Sequence, residues 1–349
     1  MTAIVKHRLF WPAVVLVLLL VSNVFFAPRF FTITLQDGHL YGSLIDVLRS
    51  ATPLALVALG MTMVIATGGI DLSVGSVMAI SGAVACLFIG DLSDQGSVGG
   101  VLLAVGLALV LSLVAGIWNG VLVAGIGIQP IIATLILMVA GRGLAQLITN
   151  GQIITINSSP YKLIGAGYVL AVPFAILIAA AVTALTWALT RRSALGMLIE
   201  SVGGNAEASR LAGIRSRRFM LFVYAFSAFC AGIAGFMVTS NVSSADGNNA
   251  GLWIELDAIL AVVIGGTSLV GGRFSISGTV LGALLIQTLT TTVYAMNISP
   301  QTSLLFKALV VIAVCLIQAP KFRTAVMRRR RRPPATAVPL EKAKVEVTA

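Results

Sequence analysis

The sequence predicts an all-α polytopic membrane protein of about ten transmembrane helices. Three observations predict it. Of 349 residues, 58% are apolar and only 10% are charged. A soluble domain carries about 25% charged residues, so this chain has too little polar surface to face water on all sides. The apolar residues also fall in continuous runs of roughly 20, not in alternation, which makes the spans helices and excludes a barrel. Finally, charge is segregated, with acidic and basic loops alternating between runs. The net charge of +11 sits in loops and ends, where it sets orientation; it does not point to nucleic acid.

In order, Lys6, His7 and Arg8 precede a first apolar run, 9–27. It is long for a signal peptide and reads as an uncleaved span with residues 1–8 cytoplasmic. The spans 47–67 and 74–90 follow, separated by Gly68-Gly69-Ile70-Asp71-Leu72-Ser73. Asp91 and Asp94 lie in a loop without Lys or Arg, which places it outside. Spans 101–124 and 131–149 come next, the second opened by Pro130, a residue favoured in the first helical turn. A polar stretch, 150–168, leads to span 169–190. After a basic loop comes span 219–242, then an acidic loop, 241–257, a short run 258–270, and spans 277–296 and 303–318. The transmembrane body is thus 9–320, and residues 321–349 form a basic cytoplasmic tail. The tail's Arg328 to Arg332 suit an anchor on anionic lipid, and the residues beyond suit disorder. Both termini fall on the cytoplasmic side. Spans 74–90 and 258–270 are the short ones, either of which would change the count by being re-entrant.

The loop 191–218 is the one charge-dense interruption, with Arg191, Arg192, Arg210, Arg215, Arg217 and Arg218. It encodes a short helix with both ends marked. Asn205 caps the first turn, and Glu207 sits near the positive end of the dipole. Arg210 lies near the other end, and Gly213 supplies the left-handed residue that stops it. A helix of about two turns is not stable alone in water, so it docks on something: its own membrane domain, or a cytoplasmic partner.

Enzyme chemistry has no visible home. No Lys follows a Gly, so a phosphate loop is absent, and so are H-E-x-x-H and G-x-S-x-G. His7 and His39 flank the first span and exclude a histidine zinc cluster. Cys86, Cys230 and Cys315 lie in apolar runs and read as buried thiols. What remains is a few costly polar groups at membrane depth. Asp71 follows Gly68-Gly69 and caps the helix after it; the alternative is a gate at the break. Trp118, Asn119, Arg142, Gln146 and Gln287 either line a path for a polar solute or join helices. Asp246, Asn248, Asn249, Trp253 and Glu255 in the acidic loop would meet an external docking protein. An internal echo pairs 68–75 with 265–272 as G-G-x-x-L-x-x-G, marking Gly265 and Gly266 as a second hinge beside Gly68 and Gly69. Coincidence in a Gly-rich chain is the competing explanation.

Residues 61–83, M-T-M-V-I-A-T-G-G-I-D-L-S-V-G-S-V-M-A-I-S-G-A, resemble the signature of permease subunits of bacterial ABC importers of the ribose, xylose and galactose type. Gly116-Ile117-Trp118-Asn119-Gly120, residues 129–135, Ala212-Gly213-Ile214 and residues 258–266 extend the likeness over about 35–318. Pieces at 138–149 and 248–253 are similar to importers of galactofuranose. The resemblance implies the ABC importer permease fold in a bacterial inner membrane, and a pathway for a monosaccharide. It implies a second permease subunit, a cytoplasmic ATP-binding subunit that uses ATP–Mg, and a periplasmic sugar-binding protein. The permease itself would hold no cofactor. In this family Asn205, Glu207, Ala208, Arg210 and Gly213 correspond to the helix that couples to the ATPase. Within the wider superfamily that this likeness implies, permeases for branched-chain amino acids are the nearest alternative, and an ion-gradient-driven secondary transporter is the rival mechanism.

Overall fold

The computed structural model describes residues 9–26, 30–36 and 38–296, with single residues 302, 305, 308, 309 and 312 beyond. Twelve α-helices and six short strands make up the described chain: α1 (Phe10–Phe26), β1 (Thr34–Gln36), β2 (His39–Tyr41), α2 (Ser43–Ala66), α3 (Val74–Gly90), α4 (Val98–Gly120), α5 (Pro130–Ile148), β3 (Ile153–Thr155), α6 (Ser159–Ala166), β4 (Tyr168–Val169), β5 (Val172–Pro173), α7 (Phe174–Arg191), α8 (Leu195–Gly204), α9 (Ala206–Leu211), α10 (Ser216–Val242), β6 (Ser244–Asp246), α11 (Ile254–Ile264) and α12 (Ile276–Ala295). Helices stand at nine of the ten expected spans; of the tenth, 303–318, only the single residues 305, 308, 309 and 312 are described, and the tail lies outside the described residues.

Helix α10 is the pillar, packed against α2, α3 and α4. Small residues let it approach closely: a Cβ at Gly116 or Gly120 of α4 would strike the backbone of Ala225 or Leu221. Such small-residue seams replace the hydrophobic driving force that lipid cannot supply. Helices α2, α11 and α12 complete the core around Leu56, Met61, Ala261, Val262 and Ile286. By contrast α4, α5 and α7 turn Leu102, Val110, Val139, Leu147 and Leu185 outward. An exposed apolar belt of this extent is a surface for lipid or for another membrane chain.

One end of the bundle is basic: α8, α9 and the breaks after α2 and α11 gather there. The other end is acidic. It carries Asp91, Asp94 and three two-stranded ribbons. The β3–β6 ribbon pairs Ile153 with Asp246 and ties the end of α5 to the end of α10.

Three expectations are corrected. The sixth span starts at Phe174 and not at 169, because Leu170 and Ala171 take left-handed conformations in the β4–β5 turn. The basic loop, for which the sequence marks one short helix, holds two: α8 precedes α9, with Gly196, Ile199 and Val202 buried. The eighth span is displaced and short, 11 residues, which at 1.5 Å per residue is about 16 Å and cannot cross a bilayer. The third span is a full helix of 17 residues.

Candidate functional site

The site begins with two interrupted helices. Helix α2 ends at Ala66, where Gly68 turns left-handed at φ +80°. The unwound strand 67–73 is held by its neighbours: Thr134 Oγ1 donates to Ile70 O at 3.2 Å. Asp71 is buried and accepts Ser73 N at 3.1 Å and Ser73 Oγ at 2.6 Å. It closes the turn before α3 but is not the N-cap that the capping reading expected: that position is Ser73, and the helix starts at Val74. Asn119 Nδ2 donates to Ser73 Oγ at 2.8 Å. Its amide therefore joins α4 to the break.

The second interruption follows α11. Gly266 is left-handed at φ +86°, as are Gly271 and Gly272. The chain then turns through 267–275 into α12, with Ser275 Oγ capping Gly278 N at 3.1 Å.

The basic-end loop meets both interruptions at one point. Gly272 N donates to Ala66 O at 2.9 Å. A Cβ at Gly203, the penultimate residue of α8, would collide with Ala66 O and lie 2.8 Å from Gly272 N. A Cβ at Gly271 would lie 3.0 Å from Gly68 N. Three backbones therefore touch where only glycines fit. Immediately after Gly204, Asn205 Oδ1 accepts Ala208 N at 2.9 Å and starts α9. Gly213, at φ +86°, donates to Arg210 O at 3.0 Å and ends it. Glu207 and Arg210 pair at 2.6 Å with side chains 67% and 66% exposed. Hydrogen bonds and charge from Arg210 hold the Glu207 carboxyl below its ordinary value. Leu211 and Met197 also point outward. The result is a small, internally braced, mixed apolar and charged knob whose rigid root is the glycine junction.

The acidic loop behaves differently from its expectation. After β6 the chain descends between the helices. A Cβ at Gly247 would meet Ala145 O near the end of α5, whereas one at Gly75 in the first turn of α3 would meet Gly251 O at 2.5 Å and Glu255 Oε2 at 2.6 Å. Gly75 and Gly90 are 15 residues apart along α3, or about 22 Å. The segment therefore re-enters the bundle to the depth of the first break, and α11 starts there. Arg142 of α5 stitches it down, donating to Ala250 O at 2.6 Å and more weakly to the carbonyls of Gly247 and Asn248. Glu255 is 5% exposed and is no docking residue. Asp246 is engaged too: it accepts Asn248 N at 2.8 Å and Asn249 Nδ2 at 2.7 Å. Only Asn248, Asn249 and Trp253 of that set remain exposed.

The five pathway candidates do not share one wall. Trp118 is 54% exposed on the outer face of α4. Asn119 binds the first interruption and Arg142 the re-entrant segment before α11, and Gln146 and Gln287 are half-buried on α5 and α12. Sequence reasoning missed Gly203 and its junction with Gly271 and Gly272, which it noted only within the echo, and also Tyr224 and Ser227 of α10. The last two carried a signal: lone polar groups at i,i+3 in an apolar span share a face. Among the described residues no group of three or more His, Cys, Asp or Glu could hold a metal ion.

A family model described as the permease component of branched-chain amino acid transport systems matches residues 43–315. The chain belongs to this family. Its members are permease components of transport systems, so this chain is a multi-pass membrane permease and not the enzyme of its system. Among curated proteins, the permease is similar to the galactofuranose transporter permease protein of Escherichia coli, with 48% identity over 94% of this chain and 96% of that one. The fructose import permease protein of Bifidobacterium longum is 40% identical over 94% and 93% of the two chains. The ribose import permease protein of Escherichia coli is 36% identical over 88% and 92%. No solved structure matches the chain.

Proposed function

We propose that this permease forms the membrane pathway of an ATP-driven importer for a monosaccharide of the galactofuranose, galactose or ribose type. The observation that carries the coupling is the α9 knob, exposed and self-capped, rooted through Gly203 in both helix interruptions. A cytoplasmic ATPase subunit seated on α9 pulls it when ATP–Mg closes that partner. The junction then moves α2–α3 against α11–α12, and the path changes sides by rigid-body rocking. Asn205, Glu207, Ala208, Arg210 and Gly213 are the coupling residues; Gly68, Gly69, Asp71, Gly265 and Gly266 form the hinges. The basic end, with both termini, faces the cytoplasm of a bacterial inner membrane, following the charge bias of loops. A periplasmic sugar-binding protein meets the acidic end at Asn248, Asn249 and Trp253. A second permease, a copy or a relative, covers part of the exposed α4, α5 and α7 belt.

The test is uptake by the complete system. Gly213→Pro removes a backbone donor at a left-handed position, and Glu207→Arg reverses the exposed charge. Each is expected to cut uptake and sugar-stimulated ATP hydrolysis at least about tenfold, the scale of a coupling free energy near 1.4 kcal/mol, with membrane insertion intact. Full uptake by both variants refutes the coupling role. Solute accumulation in vesicles bearing this chain alone refutes dependence on an ATPase. The family's description names branched-chain amino acids, so a leucine arm beside galactofuranose, ribose and fructose arms separates the two substrate classes.

A further inference from the structure

On the side of the bundle, between α2, α7 and α12, opens a groove of about 540 Å³ that the rocking scheme does not use. Leu48, Ile176 and Leu284 make its walls apolar. Of its hydroxyls, Thr52 donates to Arg49 O at 2.7 Å and Thr183 to Ala179 O at 2.7 Å, so both are spent on their own helices. A sugar needs convergent polar partners; this wall suits an alkyl chain. Along α7 the groove runs from Ile176 to Trp187, a rise of about 16 Å. That is close to the depth of one leaflet, half of an apolar core of about 30 Å.

Arginines stand where the groove meets the basic end. The guanidinium carbon of Arg192 lies 5.4 Å from the ring centre of Trp187, a lining residue. Arg191 reaches across to the segment before α12. Its Nη2 donates to Phe274 O at 3.3 Å, and its guanidinium carbon sits 5.7 Å from the Phe274 ring centre. Phe274 stands two residues before Ile276, which lines the groove with Ser277, and its neighbour Arg273 is exposed. Among the described residues none of these three arginines pairs with a carboxylate. Basic loops orient a membrane protein by charge alone, and Arg191 suits the negative end of α7. Neither effect calls for an alkyl-sized slot beneath the charges. We propose that the groove binds one anionic phospholipid from the leaflet at the basic end, its phosphate on Arg191 and Arg192 and one acyl chain laid along α7. Guanidinium groups are the strong, bidentate donors to phosphate, and basic sites between membrane helices take anionic head groups. Residues 303–318 of this chain are apolar but carry Lys307 and no acidic residue, so they would match the groove and not its mouth. The bound head group would tie the end of α7 to the chain just after Gly272, beside the glycine junction that roots α8.

Native mass spectrometry of the full-length permease, loaded in detergent with phosphatidylglycerol or phosphatidylcholine and then stripped stepwise, tests this. One phosphatidylglycerol per chain is expected to stay bound where phosphatidylcholine is lost. Replacing both arginines, Arg191→Gln with Arg192→Gln, should weaken retention about thirtyfold, the effect of two arginines at an anionic surface. The loop's other four arginines keep its orientation. A phosphatidylglycerol with a diazirine on one acyl chain should label α7 and α12. Ala184 lines the groove and is exposed, so Ala184→Phe should fill the slot and abolish that label. Equal retention of the two lipids overturns the proposal, as does unchanged retention in the arginine variant. Labelling confined to α4 and α5 overturns it too, as does a groove closed to the label because residues 303–318 or a second copy cover it. Should Ala184→Phe misfold, the arginine variant decides the matter, since both of its side chains are exposed. Binding is read without solute or ATPase, so the outcome is independent of what the permease carries.

Discussion

The two helix interruptions share a sequence pattern and differ in almost everything physical. The first joins two long helices, α2 and α3, and is packed with buried polar contacts: Asp71 on Ser73, Asn119 on Ser73, Thr134 on Ile70. The second joins an 11-residue half-helix to α12, and Leu269 and Val270 in its turn stand exposed. The left-handed glycine is the first of the pair at 68–69 but the second at 265–266. The triplet Ile-Ser-Gly that follows each pattern, at 80–82 and 276–278, lies well inside α3 in the first case and opens α12 in the second. The echo therefore reflects a shared need for glycine at breaks, not two structurally equivalent halves. One interruption is an anchor and the other is a slider, and α8 touches both through Gly203.

The sharpest way to break that contrast is to add a methyl at each. A Cβ at Gly265 would collide with the backbone of Gly278 and approach Thr279 N at 2.7 Å. Neither backbone yields without moving α11 off α12. Gly265→Ala is expected to destabilise the permease by about 3 kcal/mol, the upper range for overpacking, as measured by thermal unfolding in detergent. At Gly69 the obstacle is a side chain, Tyr224 Oη at 2.5 Å, with Val64 Cγ1 at 3.2 Å. Both can shift, so Gly69→Ala costs about 1 kcal/mol. Equal losses would remove the distinction between anchor and slider.

Arg142 offers the next largest effect, because it fixes where the half-helix begins. Its guanidinium holds the Ala250 carbonyl at 2.6 Å. Arg142→Gln is expected to cost about 2 kcal/mol, the worth of a hydrogen bond to a charged group. Hydrogen exchange should rise across 247–254 and stay unchanged across 67–73. Faster exchange across both segments would show that they do not move separately.

These residues also mark what a sequence discloses. The α9 knob was legible from Asn205, Glu207, Arg210 and Gly213, because capping is local chemistry spanning a few positions. The shortness of the eighth span was legible in its length. The burial of Glu255 was not. It depends on a polar stretch re-entering the bundle, and hydropathy reads such a stretch as an outer loop. The Gly203 junction was hidden too, since it joins residues near 66, 203 and 272 that only the fold brings together. Asn119 was visible as a costly polar group, yet its partner, Ser73, lies 46 positions away.

The smallest effect concerns the acidic end, where Asp246 organises the entry to the re-entrant segment. Burial pushes its carboxyl up, but hydrogen bonds from Asn249 and the backbone N–H groups of Asn248 and Asn249, with the charge of Arg142, bring it below the ordinary 3.8. A carboxyl depressed on folding lends its stability above its unfolded value and loses it as pH falls through the folded one. The turn at 247–249 should therefore be unaffected between neutral pH and about pH 5, and should loosen only below 3.8. Exchange at the Asn248 and Asn249 amides reads this directly, and Asp246→Asn should flatten the profile. Because the group is only half-buried and screened by solvent, the change should stay local to the entry turn, leaving α11 and the Arg142 contacts in place. A loosening that spread to α11 at low pH would mean that Asp246, and not Arg142, holds the slider at its outer end.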